Sequence, residues 1–329
     1  MILLAPQIAY QLKKAKEVFV NQTVTSIPAG IFAKYDAGSL ITFVQKTLEE
    51  KKKTENAIQI AEVMRDVDLN ALMFVVSITR ESDSVRCIER LYEAGKVILS
   101  EELIKEHNTY DDILDILDTG LKSLRKNWSV DAVSISLPGH LDTCDGGVSG
   151  VDYTKMSEEL SEHCGLPVFV HHNTAAVAYG YYAQQGTYDI VSYHSQPRGA
   201  ILGGQGIVYK GMPIDGRNQR AGELGALLRE RFPEYAEDPE VTMEKVKDVL
   251  IHSLVANISM IAPEIILIRC AWYPDMNEIR DELRRYVGEK HIPVLKHVRD
   301  IREYAMLGTL LYGMRQYKKS VRQLVKETE

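Results

Sequence analysis

From residue 71 onward, short apolar runs alternate with longer segments of helical period, and that alternation restricts the chain to an α/β fold. The first run, Leu72-Met73-Phe74-Val75-Val76, is uninterrupted and of strand length, as expected for a strand buried on both faces. Val85 to Ile88 and Lys96 to Leu99 are predicted as the next strands, joined through Glu93-Ala94-Gly95. A helix is predicted over 110–126, a strand over 132–137 running into Pro138-Gly139, a strand over 168–170 and a helix from Thr174. Further on come a strand at 200–202 entering Gly203-Gly204-Gln205-Gly206, a helix over 243–261, a strand at 265–268 and a final helix over 304–324. Such an order predicts open, mixed sheets with a cleft at the strands' carboxyl ends. No internal repeat is visible.

The first 65 residues read differently. Residues 7–20 carry apolar side chains at Ile8, Leu12, Ala15 and Phe19, which predicts an amphipathic helix. Pro28 suits the first turn of a short helix to about Tyr35, Asp36-Ala37-Gly38 makes a tight turn, and Ser39 caps a helix carrying Leu40, Val44 and Leu48. Helix, glycine-containing turn and helix have the outline of a helix-turn-helix, and residues 57–64 alternate weakly as a wing strand would. Residues 1–60 hold eight lysines against five acidic residues, a net +3, although the whole chain carries −7. The cluster Lys51-Lys52-Lys53 suits DNA phosphates, and equally a solvated helix end. A plain three-helix cap competes with the helix-turn-helix reading.

No apolar run approaches the roughly 20 residues that span a bilayer, and Met1 to Pro6 is too short for a signal-peptide core, so no membrane association and a cytoplasmic location are expected. Cys87, Cys144, Cys164 and Cys270 are spread singly, which favours reduced, structural thiols over a zinc site or disulfide scaffold.

Several segments, in order over residues 71–329, resemble the ROK family of repressors, open reading frames and sugar kinases. Gly206-Ile207-Val208-Tyr209-Lys210-Gly211 resembles its glycine-rich phosphate loop, and Ala221-Gly222-Glu223-Leu224-Gly225 its Ala-Gly-Glu-Leu-Gly signature. Ser136-Leu137-Pro138-Gly139 resembles the Val-Pro-Gly loop, Val170-His171-His172-Asn173-Thr174-Ala175-Ala176 the Asn-Asp segment, Ala256-Asn257 to Leu267 the late Asn helix and strand, and Ala305 to Gly308 the closing helix. The resemblance implies an actin-like, ribonuclease H-like ATPase fold of two lobes. It implies a winged helix-turn-helix domain over 1–65, a first lobe over 66–180 plus 304–329, and a second lobe over 181–303.

The departures bear on chemistry. The family's Asp-x-Gly-Gly-Thr phosphate turn reads Ser77-Ile78-Thr79-Arg80-Glu81, without a glycine to let phosphate approach the backbone. The family's general base, an Asp, is Asn173, which cannot accept a proton at neutral pH. The adenosine-side Gly-Gly is Arg269-Cys270, and the zinc-binding His and cysteines are missing after Gly225, where Ala226 and a charged insertion over 229–240 stand instead. Adjacent strand residues such as His171 and His172 point to opposite faces, which disfavours them as joint metal ligands. No catalytic residue, metal or cofactor is therefore expected.

The resemblance implies a ligand site at Gly139, Asn173 and Glu223 for a small carbohydrate or sugar phosphate, with Arg217 and Arg220 as candidates for a phosphate. It implies operator DNA as a partner, contacted by Ser39, Thr42, Gln45, Lys46, Lys51, Lys52 and Lys53, and a homodimer or homotetramer. A sugar kinase, or a kinase-derived binding protein with an unrelated cap, is the alternative.

Overall fold

The computed structural model describes residues 2–18, 24–32, 38–47, 70–81, 84–143, 148–197, 202–233, 235, 240–270, 272 and 275–328. By its contacts the chain divides into Met1–Ile58 and Gln59–Glu329.

In the first unit, β1 (Ile2–Leu4) pairs in parallel with β2 (Val24–Ser26). A 3-10 segment, Pro6–Gln11, precedes α1 (Leu12–Val18), so the predicted helix over 7–20 is two pieces. Ile8, at φ −115° and ψ 16°, makes the kink and is 44% exposed, away from the inner face that its spacing suggested. Helix α2 (Ala29–Phe32) opens after Pro28, whose carbonyl accepts from Ile31 and Phe32. Residues 38–47 belong to a helix, α3, which places Ser39 within it rather than at its cap. The turn residues Asp36 and Ala37, Leu48, the lysines Lys51, Lys52 and Lys53, and the wing segment 57–64 lie outside the described residues.

The second unit holds two five-stranded sheets. In the first, β3 (Met73–Arg80), β4 (Val85–Glu93), β5 (Lys96–Lys105), β6 (Ala132–Leu137) and β9 (Val168–His172) lie in the order β5-β4-β3-β6-β9. Strand β4 is antiparallel to its neighbours, whereas β3, β6 and β9 are parallel. Helix α4 (Tyr110–Leu124) and α5 (Tyr153–Cys164) belong to this half, with the small hairpin of β7 (His140–Asp142) and β8 (Val148–Gly150) between them in sequence. The second sheet repeats the pattern. Strands β10 (Ile190–Gln196), β11 (Gly204–Tyr209), β12 (Met212–Pro213), β13 (Ile265–Cys270) and β14 (Val294–His297) are ordered β12-β11-β10-β13-β14, again with three in antiparallel succession and three in parallel. The remaining helices are α6 (Asn173–Gln185), α7 (Gly225–Arg231), α8 (Met243–Ile261), α9 (Met276–Val287) and α10 (Arg302–Thr328).

Side-chain period explains the layers. Along β3, Phe74, Val76 and Ile78 pack with Ile113, Leu117 and Leu121 of α4 and Leu160 of α5, while Met73 and Val75 turn to the other face. Thr109 and Asp112 form a capping box that starts α4 after the exposed end of β5. The second face is a core shared by both sheets, in which α6 and α10 meet Met73 and Val75 on one side and Val191, Tyr193 and Leu267 on the other. Helix α6 is buried from Thr174 to Ala183, as an all-round apolar helix should be. Its contact with α10 depends on absent side chains: a Cβ at Gly308 would overlap the Ala176 carbonyl, and one at Gly180 the Tyr304 carbonyl. Among the described residues no helix is long and apolar enough to cross a membrane.

Candidate functional site

The carboxyl ends of parallel strands from both sheets open into one cleft of about 230 Å³. Thr79 and Arg80 end β3, Pro138 and Gly139 follow β6, His172 and Asn173 join β9 to α6, Ser195 nears the end of β10, and Arg269 stands near the end of β13. Gly203 and Gly204 enter β11, and Arg220, Glu223 and Arg229 approach from the segment around α7. This is where open α/β sheets place ligands.

At its centre stands a His–Glu pair. His172 Nε2 and Glu223 Oε1 are 2.6 Å apart, with 6% and 21% of the two side chains exposed. The backbone N–H of Thr174 donates to His172 Nδ1 at 3.2 Å, so that nitrogen is an acceptor and the neutral ring carries its proton on Nε2. The Nε2–H donates to Glu223. This hydrogen bond from His172 holds the Glu223 carboxyl below its ordinary range despite burial, with help from His140 and Arg220. An ionised carboxylate only accepts, and Oε2 carries no bond to another described residue. Gly139 closes one side of the pair: a Cβ there would stand 2.8 Å from Glu223 Oε1 and 3.1 Å from His172 Nε2.

The approach of Arg220 and Glu223 is set by a strained loop. Asn218 and Gln219 both have positive φ, 54° and 55°, conformations unfavourable to residues with a Cβ. The Gln219 amide compensates by accepting from the His172 N–H at 3.3 Å and donating to the Val170 carbonyl at 2.9 Å, which satisfies the free edge of β9. The Asn173 amide donates to the Ile78 carbonyl at 3.3 Å, tying the start of α6 to the end of β3.

Gly139, Asn173 and Glu223, expected together from sequence motifs, line this one cleft, as does Arg220; Arg217 does not. From sequence, His172 suggests itself only as a metal ligand, and a disfavoured one. It faces Glu223, while His171 points the other way, stacks on Tyr312 at 4.5 Å and is pushed down to about 3 by burial. Ser77 is buried against α10 in a hydroxyl chain with Ser136 and Thr309, and Thr79 and Arg80 reach the cleft. Gly206 to Tyr209 belong to β11, and Lys210 and Gly211 to the turn after it. Of the strand predicted at 200–202, residues 200 and 201 lie outside the described residues; Leu202 sits in a bend, and the regular strands nearby are β10 and β11.

Strand β3 continues to Arg80, and the Glu81 N–H donates to the Ser84 carbonyl at 2.9 Å ahead of β4. Arg80 pairs with Asp142 at 2.5 Å, and Arg269 with Glu81 at 2.9 Å. The residues do not fit the zinc site found in the proteins that the sequence resembles. Gly225–Arg231 is a helix without cysteine, Cys87, Cys164 and Cys270 are buried singly, and among the described residues no three His, Cys, Asp or Glu side chains gather around a point.

In helix α3, Thr42, Gln45 and Lys46 are exposed on one helical face, while Ser39 is half-buried. The Thr42 hydroxyl donates to the Gly38 carbonyl at 3.0 Å.

No family profile and no curated protein sequence matches the chain. Solved structures do. A candidate N-acetylmannosamine kinase from Listeria monocytogenes aligns at a TM-score of 0.52 and 16% identity, over 73% of this chain and 98% of that one. A ROK hexokinase from Thermus thermophilus aligns at 0.52 and 15%, over 75% and 100%. A ROK family transcriptional regulator aligns at 0.48 and 18%, over 76% and 80%, too loosely to bear on function. The chain has the two-lobed α/β fold of the ROK proteins.

Proposed function

We propose that this chain is a ROK-type transcription regulator, which binds operator DNA through its first unit and responds to a small carbohydrate or sugar phosphate held in the cleft. One observation carries the reading. The cleft keeps a hydroxyl-binding centre, Glu223 oriented by His172 beside Gly139 and Asn173, while the features that phosphoryl transfer from ATP would need have been replaced. A sugar ring offers several hydroxyls. An acceptor-only carboxylate and a side-chain amide satisfy them, and glycine lets the ring approach.

On this reading the domains run 1–65, 66–180 plus 304–329, and 181–303. Thr42, Gln45 and Lys46 face bases in the major groove, with Ser39 beside them and Lys51, Lys52 and Lys53 near phosphates. A homodimer or homotetramer supplies the two-fold that reads paired half-sites. The kinase reading has one observation in its favour, a carboxylate in the cleft. That carboxylate is Glu223, whose bond from His172 makes it a weak base.

The test is calorimetry of the full chain with glucose, mannose, N-acetylglucosamine and their 6-phosphates, on wild type and Glu223→Ala. Binding by wild type that falls at least tenfold in the variant is expected. Equal binding by both proteins removes Glu223 from the site, and ATP-dependent phosphorylation of any of these sugars above background overturns the loss of kinase chemistry.

A further inference from the structure

The cleft's charge is opposite to that of the chain. Among the described residues, four guanidinium groups, Arg80, Arg220, Arg229 and Arg269, line it against the single carboxylate of Glu223, in a protein of net charge −7. Arg80 and Arg269 are each held by one carboxylate outside the cleft lining. Among the described residues, Arg220 and Arg229 have no carboxylate within 4.0 Å; the Arg229 guanidinium lies over Gly225, where a Cβ would be 3.3 Å from its Nη1. Arg269 is 15% exposed, with the buried Tyr193 hydroxyl beside its guanidinium. The N-terminus of α6, a helix of 13 residues, opens into the same space and adds the positive end of its dipole.

We infer that the cleft contains an anion subsite built from Arg220, Arg229, Arg80 and Arg269, and that its ligand is a monosaccharide phosphate rather than a neutral sugar. The inference rests on the carbohydrate reading of the Glu223 centre. A carboxylated sugar needs one bidentate arginine, whereas a tetrahedral phosphate dianion presents three terminal oxygens and takes donors from several. Size argues against a nucleotide. The cleft's 230 Å³ is below the roughly 300–1,000 Å³ of sites for drug-sized ligands and suits one small ring with its phosphate.

The experiment is calorimetry with glucose, mannose and N-acetylglucosamine, the 6-phosphate of each, glucuronate, inorganic phosphate and ATP. It uses the full-length wild type and an Arg220→Gln, Arg229→Gln double variant. Both side chains are exposed, so the variant should melt as wild type does. A 6-phosphate is expected to bind at least tenfold more tightly than its parent sugar. Inorganic phosphate should compete with it, rising salt should weaken it, and the double variant should bring the affinity ratio to about one. A sugar and its phosphate bound equally would overturn the anion subsite and leave the carbohydrate reading standing. Glucuronate bound as tightly as the phosphate, or ATP more tightly, would overturn the phosphate assignment. Inorganic phosphate bound by wild type and lost in the variant, with no sugar bound, would support the subsite and refute the carbohydrate reading. No binding of any probe would refute both.

Discussion

Gly139→Ala adds one carbon to the wall of the cleft, where the His172–Glu223 pair leaves no space for it. On the present backbone the new Cβ stands 2.8 Å from Glu223 Oε1 and 3.1 Å from His172 Nε2, so one partner must yield by several tenths of an ångström. His172 cannot move freely, because Thr174 holds its Nδ1 and Tyr153 packs beside its ring at 5.6 Å. Glu223 is the partner that gives way, being the more exposed. Its displacement costs the fold less than about 1 kcal/mol, in keeping with a change at a partly solvated side chain. The 2.6 Å bond to His172 is another matter. A hydrogen bond to a charged group contributes about 1.5–3 kcal/mol, and losing the orientation it gives Glu223 should weaken carbohydrate binding about ten- to 150-fold. Calorimetry reports the binding, thermal melting the fold, and carboxyl titration by NMR should show Glu223 returning toward its ordinary range. A variant that binds the same sugar within twofold of wild type would refute the role given to this pair.

Asn173→Asp is expected to leave the chain without sugar kinase activity, since Ser77 to Glu81 still lacks a glycine to let phosphate approach the backbone; ADP release above background on any hexose would contradict this. Burial, with Glu101 nearby, raises the Glu89 carboxyl to about 7. A carboxyl raised in the folded state stabilises below its unfolded value and loses that contribution as pH rises through about 7, so Glu89→Gln should gain stability relative to wild type at pH 8 and not at pH 4. The gain is of order 3 kcal/mol at most, measured by urea melts at both pH values. Gly308→Ala drives a methyl group into the α6 backbone and should cost about 1–3 kcal/mol or more in the same assay.

Much of the architecture is legible because its cause is local. Leu72 to Val76 reads as a buried strand since apolar residues fill both its faces, and α4 is marked by Thr109, Asp112 and the spacing of Ile113, Leu117 and Leu121. Strand β10 escapes that reading for a physical reason. His194 and Gln196 are fully buried yet polar, satisfied in part by a bond from Gln196 to the Val246 carbonyl, so the strand never shows an apolar run. The repeated strand order of the two sheets is likewise a property of pairing, and leaves no matching residues in the sequence. In the cleft, motifs point to Gly139, Asn173 and Glu223. The arginine wall does not announce itself: Arg80 and Arg269 are far apart in the chain, and only two strand ends converging make them neighbours of one cleft. His172 shows its facing by strand parity, but its partner lies 51 residues on.

The central claim, that occupancy of the cleft governs DNA binding, is tested most directly by one titration. The full-length chain is bound to duplex DNA selected from a random pool, and the affinity is measured at fixed salt with and without a saturating hexose 6-phosphate. A coupling of 1–3 kcal/mol, typical of linked sites, predicts a change of about five- to 150-fold, with the reciprocal effect of DNA on ligand affinity. No selected duplex, or one bound identically with and without the ligand, would contradict the account.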